Sequence, residues 1–564
     1  MTHRPVDVGE APFNLDVDDR FWVEQTLDGM TLEQKVGQLL CLYLRTDDVP
    51  TWWGQLQGYG IEPGGVLMLP RTTDKARDDV SSLQVLSPIP LLVAANLESG
   101  AVNFLTDAEA FANPMQLAAT GDVTAVELLA THCARIAYDV GINWAFAPVV
   151  DVAVNPANPI TNTRTFGEDV ETVATFGSAY IRALEQRSIV TSPKHFPGDG
   201  VDGRDQHLVT SNNDLDVDAW QATFGDVYRA VIAAGARTIM VGHIRQPALS
   251  RSLRPGIEPH QLMPASLAPE LLGDVLRDQL GFNGLIVSDN TVMTGFTSVM
   301  TRREALPTAL NAGIDMLLGN LSVVEDFEIL LHAARSGAVP AERLDDSVRR
   351  VLATKASAGL HRPATRDPGH LGSSEVDAVA RDDVARRSVT LVKDTQELLP
   401  LNPAVHRRVL VFVLGDEPTF YDPSGPFAPR FVEGLRERGL TVHVVKVPSE
   451  HGDPAAAEHL NERYDLCLYF ANLRFTGNSN SLRIAWTPWQ GHDAPRHVAS
   501  LPTALLSIAD PYVLQDVPMI RTAINGYTPT PSTVDAALAV LFGEQPAQGQ
   551  SPVDPFVGHW DAAL

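Results

Sequence analysis

The chain has 564 residues, 44% hydrophobic and 20% charged, which is ordinary for a soluble globular protein and too long for one compact core. Its 43 basic and 69 acidic side chains give a formal net charge of −26. This charge argues against nucleic acid or an anionic membrane as a partner, because both require a basic face, but it leaves a small anionic substrate open.

The chain start and the cysteines indicate the compartment. The first residues, MTHRPVDVGEAPFNLDVDDRFW, lack the apolar core of a signal peptide, and no apolar run reaches transmembrane length. Cys41, Cys133 and Cys467 are odd in number, far apart and flanked by apolar residues. We therefore expect a cytoplasmic protein whose cysteines are buried thiols, rather than a redox or metal site.

Short apolar runs alternate with amphipathic stretches along the first part of the chain. There are eight runs, at 36–44, 64–70, 90–95, 142–152, 188–196, 236–244, 284–290 and 312–320. Apolar strands that alternate with helices indicate a parallel sheet covered by helices, and eight of them predict an α/β fold of the (β/α)8 TIM-like barrel type. The alternative is a doubly wound open sheet, but no glycine-rich dinucleotide fingerprint follows the first run.

Polar residues stand at the carboxyl ends of five consecutive predicted strands. Since those ends and the following loops form the active-site face of a barrel, we expect these residues to line a site there. They are Asn96 and Glu98 after the third run, Asp151 in the fourth, Lys194 and His195 in the fifth, His243 in the sixth and Asp289 in the seventh.

The rest of the chain predicts a second, smaller α/β sandwich domain. Residues 361–374 form a glycine- and proline-rich linker, a helix follows, and apolar runs recur from 388 onward. We therefore expect a barrel at 1–360, a linker and helix at 361–387, and the second domain at 388–564. A polar and aromatic segment at 474–491 is typical of a surface loop, although it could reach the barrel or a partner subunit.

Three residues could perform covalent glycosyl transfer. Asp289, at the end of an apolar strand, suits a nucleophile that attacks an anomeric carbon, although such an Asp also often caps a helix. His207 could donate a proton to the leaving oxygen while Asp205, two residues earlier, orients its ring. Read alone, this Asp–His pair could equally be a solvated loop pair.

Several long motifs resemble glycoside hydrolase family 3, in its β-N-acetylglucosaminidase branch, which includes β-glycoside phosphorylases. KHFPGDGVDGRDQH (194–207) resembles the family's Lys-His-Phe-Pro-Gly signature with its Asp–His pair, and GLIVSDN (284–290) resembles its nucleophile motif. FAPVVDVAVNPANPITNTRTFGED (146–169), LAPELLGDVLRDQLGFNG (267–284) and RSVTLVKDTQELLPL (387–401) resemble further family segments in the same order.

The resemblance implies a role for each matching residue. Asp289 would be the nucleophile, and His207 the general acid and base, oriented by Asp205. Arg164, Lys194 and His195 would bind the sugar, with Asn96 at a further sugar-binding position, and Asp151 and His243 would line or brace the site. No metal or organic cofactor is implied.

The chain departs from the family pattern at several positions. In NLESGAVNF (96–104), Asn96 replaces a sugar-binding Asp and Phe104 replaces an Arg, so recognition of the 4- and 6-hydroxyl end of the sugar is altered. Gln206 stands where the family usually has Ser, and Asn290 follows Asp289 where a second Asp is usual. Strict specificity for N-acetylglucosamine is therefore not expected.

It remains to be decided whether phosphate or water accepts the glycosyl unit. A histidine acid repels an incoming phosphate less than a second carboxylate does, Asn290 removes a negative charge, and Arg204 beside the pair could bind phosphate. We therefore expect a retaining β-glycoside phosphorylase that uses a β-glycoside and inorganic phosphate. The alternative for Arg204 is a surface residue paired with Asp202.

Other activities stay open at this point. A hydrolase that uses water as the acceptor is the nearest alternative, and a carbohydrate-binding protein on a decayed enzyme scaffold is another. Spacing alone would also allow a zinc hydrolase, with His195, Asp205 and His207 as ligands.

Overall fold

The structure, a computed structural model, describes residues 6–362, 373–419, 424–448, 460–474, 477–488 and 493–564. Its strands are β1 (Leu40–Leu44), β2 (Gly65–Met68), β3 (Leu92–Ala95), β4 (Trp144–Ala145), β5 (Val190–Thr191), β6 (Ser211–Asn212), β7 (Thr238–Val241), β8 (Ile244–Arg245), β9 (Leu285–Ser288), β10 (Leu317–Leu318), β11 (Thr390–Asp394), β12 (Arg408–Gly415), β13 (Thr441–Val447), β14 (Leu466–Asn472), β15 (Thr503–Ser507) and β16 (Thr522–Asn525).

The α-helices of the described residues follow in chain order. They are α1 (Val17–Gly29), α2 (Leu32–Gln38), α3 (Val49–Gly58), α4 (Thr73–Leu86), α5 (Pro114–Ala119), α6 (Thr124–Val140), α7 (Val170–Glu185), α8 (Val217–Trp220), α9 (Asp226–Ala233), α10 (Pro247–Leu253), α11 (Thr294–Thr297), α12 (Arg302–Ala312), α13 (Val323–Arg335), α14 (Ala341–Ser357), α15 (Ser374–Ser388), α16 (Ala428–Glu437), α17 (Leu460–Arg463) and α18 (Pro531–Leu541).

The chain divides into two compact units. The first comprises Met1–Ala108, Ala130–Asn155 and Val170–Gly372, and the second comprises Glu109–Leu129, Pro156–Asp169 and Ser373–Leu564. Two segments within the first 360 residues therefore group with the C-terminal part. The predicted boundaries at 360 and 387 stay predictions, since most of the predicted linker, and part of the 474–491 segment, lie outside the described residues.

Eight parallel strands form a closed ring in the first unit. Hydrogen bonds connect them in the order β10-β1-β2-β3-β4-β5, and β7 pairs with β9. Single bridges between Phe196 and Val241, and between Val287 and Met316, join these two groups. The predicted TIM-like barrel is thus confirmed, with one strand in each apolar run, and the doubly wound alternative is wrong.

Large apolar side chains fill the barrel interior, among them Trp144, Phe146, Met240 and Met316. The strands differ from the predicted runs in length. Residues 36–38 end α2 rather than begin β1, and β4 and β5 have two residues each. The hydrophobic run marks which residues are buried, whereas strand length depends on how far neighbouring backbones stay paired.

The second unit is an α/β sheet buried on both faces. Its order is β11-β16-β15-β14-β12-β13, parallel except for β11 against β16. Along β12, Val409, Val411 and Val413 pack into one apolar cluster and Leu410 and Phe412 into another. This alternation confirms the predicted second α/β domain.

The three cysteines are buried and none forms a disulfide, as predicted. Burial raises the pKa of the Cys41 thiol well above its ordinary value, so it stays protonated. Among the described residues, no helix has the length and apolar composition required to cross a bilayer. The expected cytoplasmic location stays a prediction.

Candidate active site

The polar residues after the barrel strands meet at the carboxyl ends of those strands, which we call the barrel mouth. Asn96 and Glu98 follow β3, Lys194 and His195 follow β5, and Asp289 follows β9 directly. Because these strands are parallel and closed into a ring, their carboxyl ends converge on one face, as the sequence predicted.

Asp289 lies at the centre of this group. It is 8% exposed, its backbone N–H donates to the Val241 carbonyl at 2.8 Å, and one carboxylate oxygen accepts from the Asn290 N–H at 2.7 Å. Burial would raise the pKa of Asp289, but the charge of nearby imidazoles, His195 foremost, and the Asn290 N–H outweigh burial and lower it. The carboxylate is therefore ionised at neutral pH, the state that a nucleophile requires.

Lys194 and His195 are adjacent in the chain but have different partners. The Lys194 Nζ lies 2.7 Å from Glu98 Oε1 and donates to Asn96 Oδ1 at 3.2 Å. The His195 Nδ1 lies 2.7 Å from Asp151 Oδ2, and its Nε2 lies 3.9 Å from Asp289 Oδ2. The Lys194 charge is thus balanced by Glu98, which the sequence singled out only as a strand-end residue.

The pair predicted for proton transfer is formed. Nδ1 of His207 lies 2.6 Å from Oδ1 of Asp205, which also accepts from the His207 backbone N–H at 2.7 Å. Asp205 is fully buried, whereas the His207 side chain is 22% exposed. A carboxylate on Nδ1 places a proton there, so Nε2 is the atom that can exchange protons with a bound molecule.

The loop that carries this pair is fixed by one glycine and one glutamine. Gly198 has φ +120°, and a Cβ there would lie 2.1 Å from the Phe224 ring, so only glycine fits. Gln206 donates to Asp199 Oδ2 at 3.1 Å and accepts from the His243 N–H at 3.0 Å. The sequence marked Gln206 only as a departure from a motif, and its linking role required the structure.

His243 braces the site. Its Nε2 lies 3.1 Å from the Asn290 carbonyl oxygen, to which it donates, and its Nδ1 lies 2.9 Å from the Ser266 hydroxyl. Burial lowers the pKa of His243, in keeping with a neutral ring between one acceptor and one donor. No motif in the sequence signalled Ser266.

Two predicted binding residues have partners within their own segments. The Arg204 guanidinium lies 2.7 Å from Asp202 Oδ2, and its side chain is 55% exposed. The pairing with Asp202, which the sequence offered as the alternative to phosphate binding, is therefore formed. Arg164 ends a short 3-10 helix in the second unit, Asn162–Arg164, and its Nη1 donates to the Ile160 carbonyl at 3.2 Å. Sugar binding by Arg164 stays a prediction.

The three residues considered as zinc ligands do not converge on one point. The His195 ring is bound to Asp151, whereas the His207 ring is bound to Asp205. Within the described ranges no group of three or more His, Cys, Asp or Glu side chains is arranged to hold a metal ion.

Comparisons with known proteins agree with this geometry. A model of the glycosyl hydrolase family 3 N-terminal domain matches residues 31–354. The β-N-acetylglucosaminidase/β-glucosidase of Cellulomonas fimi is 45% identical over 566 residues, which cover 99% of this chain and 100% of that protein.

Solved structures are similar over almost the whole chain. The β-glucoside phosphorylase BglX superposes with a TM-score of 0.91 at 38% identity, covering 98% of this chain and 99% of its own. A family 3 β-N-acetylglucosaminidase from Paenibacillus sp. str. FPU-7 shares the fold, with a TM-score of 0.79 at 24% identity, over 93% of this chain and 99% of its own.

Proposed function

This chain belongs to glycoside hydrolase family 3, and from that premise we propose that it is a retaining β-glycoside phosphorylase. It would transfer a glucosyl or N-acetylglucosaminyl unit from a β-glycoside to inorganic phosphate. The choice of sugars follows the activities of the Cellulomonas fimi relative, and the choice of acceptor follows the similarity to the phosphorylase BglX.

The first step forms a covalent glycosyl-enzyme. Asp289 attacks the anomeric carbon, the bond to the aglycone oxygen breaks, and His207 gives that oxygen the proton from Nε2. Lys194 and His195 hold the sugar hydroxyls together with Asn96, while Asp151 orients His195. For Arg164, sugar binding is predicted from its motif.

The second step releases the sugar with net retention of configuration. A phosphate oxygen attacks the anomeric carbon, the bond to Asp289 breaks, and the product is a β-sugar-1-phosphate. His207, which lost a proton in the first step, can accept one from the incoming phosphate. The two inversions at one carbon give the β configuration of the substrate.

The observation that carries this proposal is the Asp205–His207 pair at 2.6 Å. Retaining glycosidases ordinarily place two carboxylates around the anomeric centre, and the second would repel phosphate. An imidazole performs the same proton transfer without a negative charge. The nearest alternative, hydrolysis, uses the same first step with water in the second.

The test is cleavage of an aryl β-glucoside and an aryl β-N-acetylglucosaminide with and without millimolar phosphate, with the sugar product followed by phosphorus NMR. We expect phosphate to stimulate turnover and a β-sugar-1-phosphate to appear. Free sugar as the only product, at a rate indifferent to phosphate, would establish the hydrolase instead.

A further inference from the structure

A short two-stranded sheet lies beside the loop that carries His207. β6 pairs in parallel with β8, and Asn212 stands opposite Arg245. The next residue, Asn213, donates its backbone N–H to the Arg245 carbonyl at 2.7 Å. Because β6 follows His207 by four residues and β8 follows His243 directly, this sheet holds Arg245 close to the proton-transfer loop.

Asn212 also contacts Arg204 and its partner Asp202. Its backbone N–H donates to Asp202 Oδ2 at 2.9 Å, and the same oxygen accepts from the Arg204 guanidinium at 2.7 Å. With its amide in the orientation that satisfies its neighbours, the Asn212 side-chain oxygen accepts from Arg204 Nη2 at 3.0 Å. Asn212 thus links two arginines that are far apart in the sequence.

The two arginines differ in their counter-charges. Arg204 is paired with Asp202, and the charge of Asp214 also acts on it. Arg245 is half-buried and its Nε donates to the Leu262 carbonyl at 2.8 Å. In the part of the chain that the structure describes, no carboxylate lies within ion-pair distance of it.

The surroundings of Arg245 disfavour its positive charge. Burial, followed by the charge of Arg204, lowers the pKa of Arg245, and no acidic group among the described residues opposes these effects. A half-buried cation beside a second cation is unfavourable unless an anion occupies the space near them. Two guanidinium groups are well suited to a tetrahedral dianion, which accepts paired hydrogen bonds.

We infer that Arg245, together with Arg204, binds the inorganic phosphate that attacks the glycosyl-enzyme, an inference that rests on the proposed function. Arg245 is the anchor, because Arg204 must exchange part of its contact with Asp202 for the phosphate. Phosphate bound by these two arginines would lie beside the loop that carries His207.

The test compares three variants of the full chain by the KM for phosphate in cleavage of an aryl β-glucoside. Arg245→Met should raise this KM about tenfold or more, with a smaller effect on the KM for the glycoside, since a charged hydrogen bond to phosphate is lost. Arg245→Lys should lie between wild type and Met. Arg251→Met, which removes an exposed arginine of α10, is the matched control and should change neither KM.

A further variant, at Asp202, tests the inference even if Arg245→Met does not fold. Asp202→Asn removes the carboxylate that competes with phosphate for Arg204, and we expect it to lower the KM for phosphate. A rise or no change in that KM would count against the pair as the phosphate site.

The outcomes separate this inference from the proposed function. Suppose that phosphate stimulates the wild-type enzyme and that the KM for phosphate is unchanged in Arg245→Met. The proposed arginine site is then wrong, whereas the proposed phosphorylase activity is supported. If phosphate has no effect on turnover, the phosphorylase is wrong, and calorimetric titration with inorganic phosphate decides the site. If phosphate binds to the wild type and not to Arg245→Met, the arginines form an anion site. If phosphate does not bind to the wild type, the inferred site is wrong.

Discussion

Two imidazoles in the barrel mouth are each held by one carboxylate, but they present different environments to a substrate. His195 bonds to Asp151, is almost fully buried, and points its Nε2 toward Asp289 at 3.9 Å. His207 bonds to Asp205 and is 22% exposed. The buried ring suits contact with the sugar beside the nucleophile, and the more exposed ring suits the leaving group and acceptor, which must enter and depart.

Replacing His207 with Ala should separate substrates by their leaving groups. A poor leaving group requires protonation, so we expect kcat/KM for an alkyl β-glucoside to fall about 10²- to 10⁴-fold. An activated leaving group such as a dinitrophenolate departs without a proton and should lose far less. Initial rates on a series of aryl and alkyl glycosides provide the measurement, and an equal loss across the series would contradict the acid role.

At the scale of elements, the active-site loops are connected by hydrogen bonds that run through Gln206. Its amide joins Asp199, on the loop after β5, to the backbone of His243 after β7. His243 in turn donates to the Asn290 carbonyl, next to Asp289. The segment that carries His207 and the segment that carries Asp289 are therefore positioned by one set of buried polar contacts.

Gln206→Met should lower kcat about 10- to 100-fold, with little change in KM for the glycoside, because it displaces residues that position the catalytic groups. It should also destabilise the fold by about 1–3 kcal/mol, since Asp199 loses a buried donor.

Gln116→Met is the matched control for this prediction. Gln116 is equally buried, and its amide donates to the Gly526 carbonyl and the Thr533 hydroxyl, all of them in the second unit. Denaturant unfolding should show a loss of stability in both variants, but steady-state kinetics should show the kcat loss only in the Gln206 variant. Equal kcat values in the two variants would refute the positioning role.

Helix α14 contains a buried lysine whose charge the fold opposes. Nζ of Lys355 donates to Gln38 Oε1 at 2.5 Å, and burial lowers the pKa of Lys355 to about 7. The unfolded lysine keeps its proton up to its ordinary pKa of 10.5, so between these two pH values the unfolded state binds more protons. Stability should therefore rise with pH across this window, by up to about 1.4 kcal/mol per pH unit.

Lys355→Met should remove this dependence and raise stability most at and below pH ~7, where the buried amine would be charged. Urea unfolding between pH ~7 and 10.5 measures the difference in free energy of unfolding between wild type and variant. The contributions of the other titrating groups cancel in this difference. Lys446→Met, at a side chain that is 78% exposed, is the control and should leave the pH slope unchanged. A wild-type slope that persists in Lys355→Met would show that another group produces it.

At the scale of the whole molecule, a net charge of −26 opposes the approach of phosphate. A net-negative protein repels a dianion at long range, whereas the two arginines that we propose as its site would attract it at short range. Raising the ionic strength shortens the Debye length from about 30 Å at 0.01 M to about 8 Å at 0.15 M, which screens the repulsion more than the contact.

The KM for phosphate should therefore fall modestly, or stay level, as potassium chloride is raised over this range. The KM for a neutral aryl glycoside should not change, which makes it an internal control. A steep rise in the KM for phosphate, with the glycoside unaffected, would show that long-range attraction draws phosphate in and that the net charge does not govern its approach.

The sequence by itself determined the barrel, the second α/β domain and the residues grouped at the barrel mouth. Apolar runs of strand length that alternate with helices predict a parallel sheet, and parallel strands bring their carboxyl ends to one face. The Asp205–His207 contact was also expected, because two residues of separation in a tight turn let the carboxylate reach the ring, although the same spacing suits a solvated loop pair.

Only the tertiary structure decided which partners the other polar groups take. Glu98 balances Lys194, Ser266 and Asn290 hold His243, Asp202 holds Arg204, and Asn212 contacts Arg204 while it pairs with Arg245. Most of these contacts join segments that are tens of residues apart, and their geometry depends on strand register, loop path and rotamer. None of those quantities is encoded in a local pattern, because each results from packing the whole ring at once.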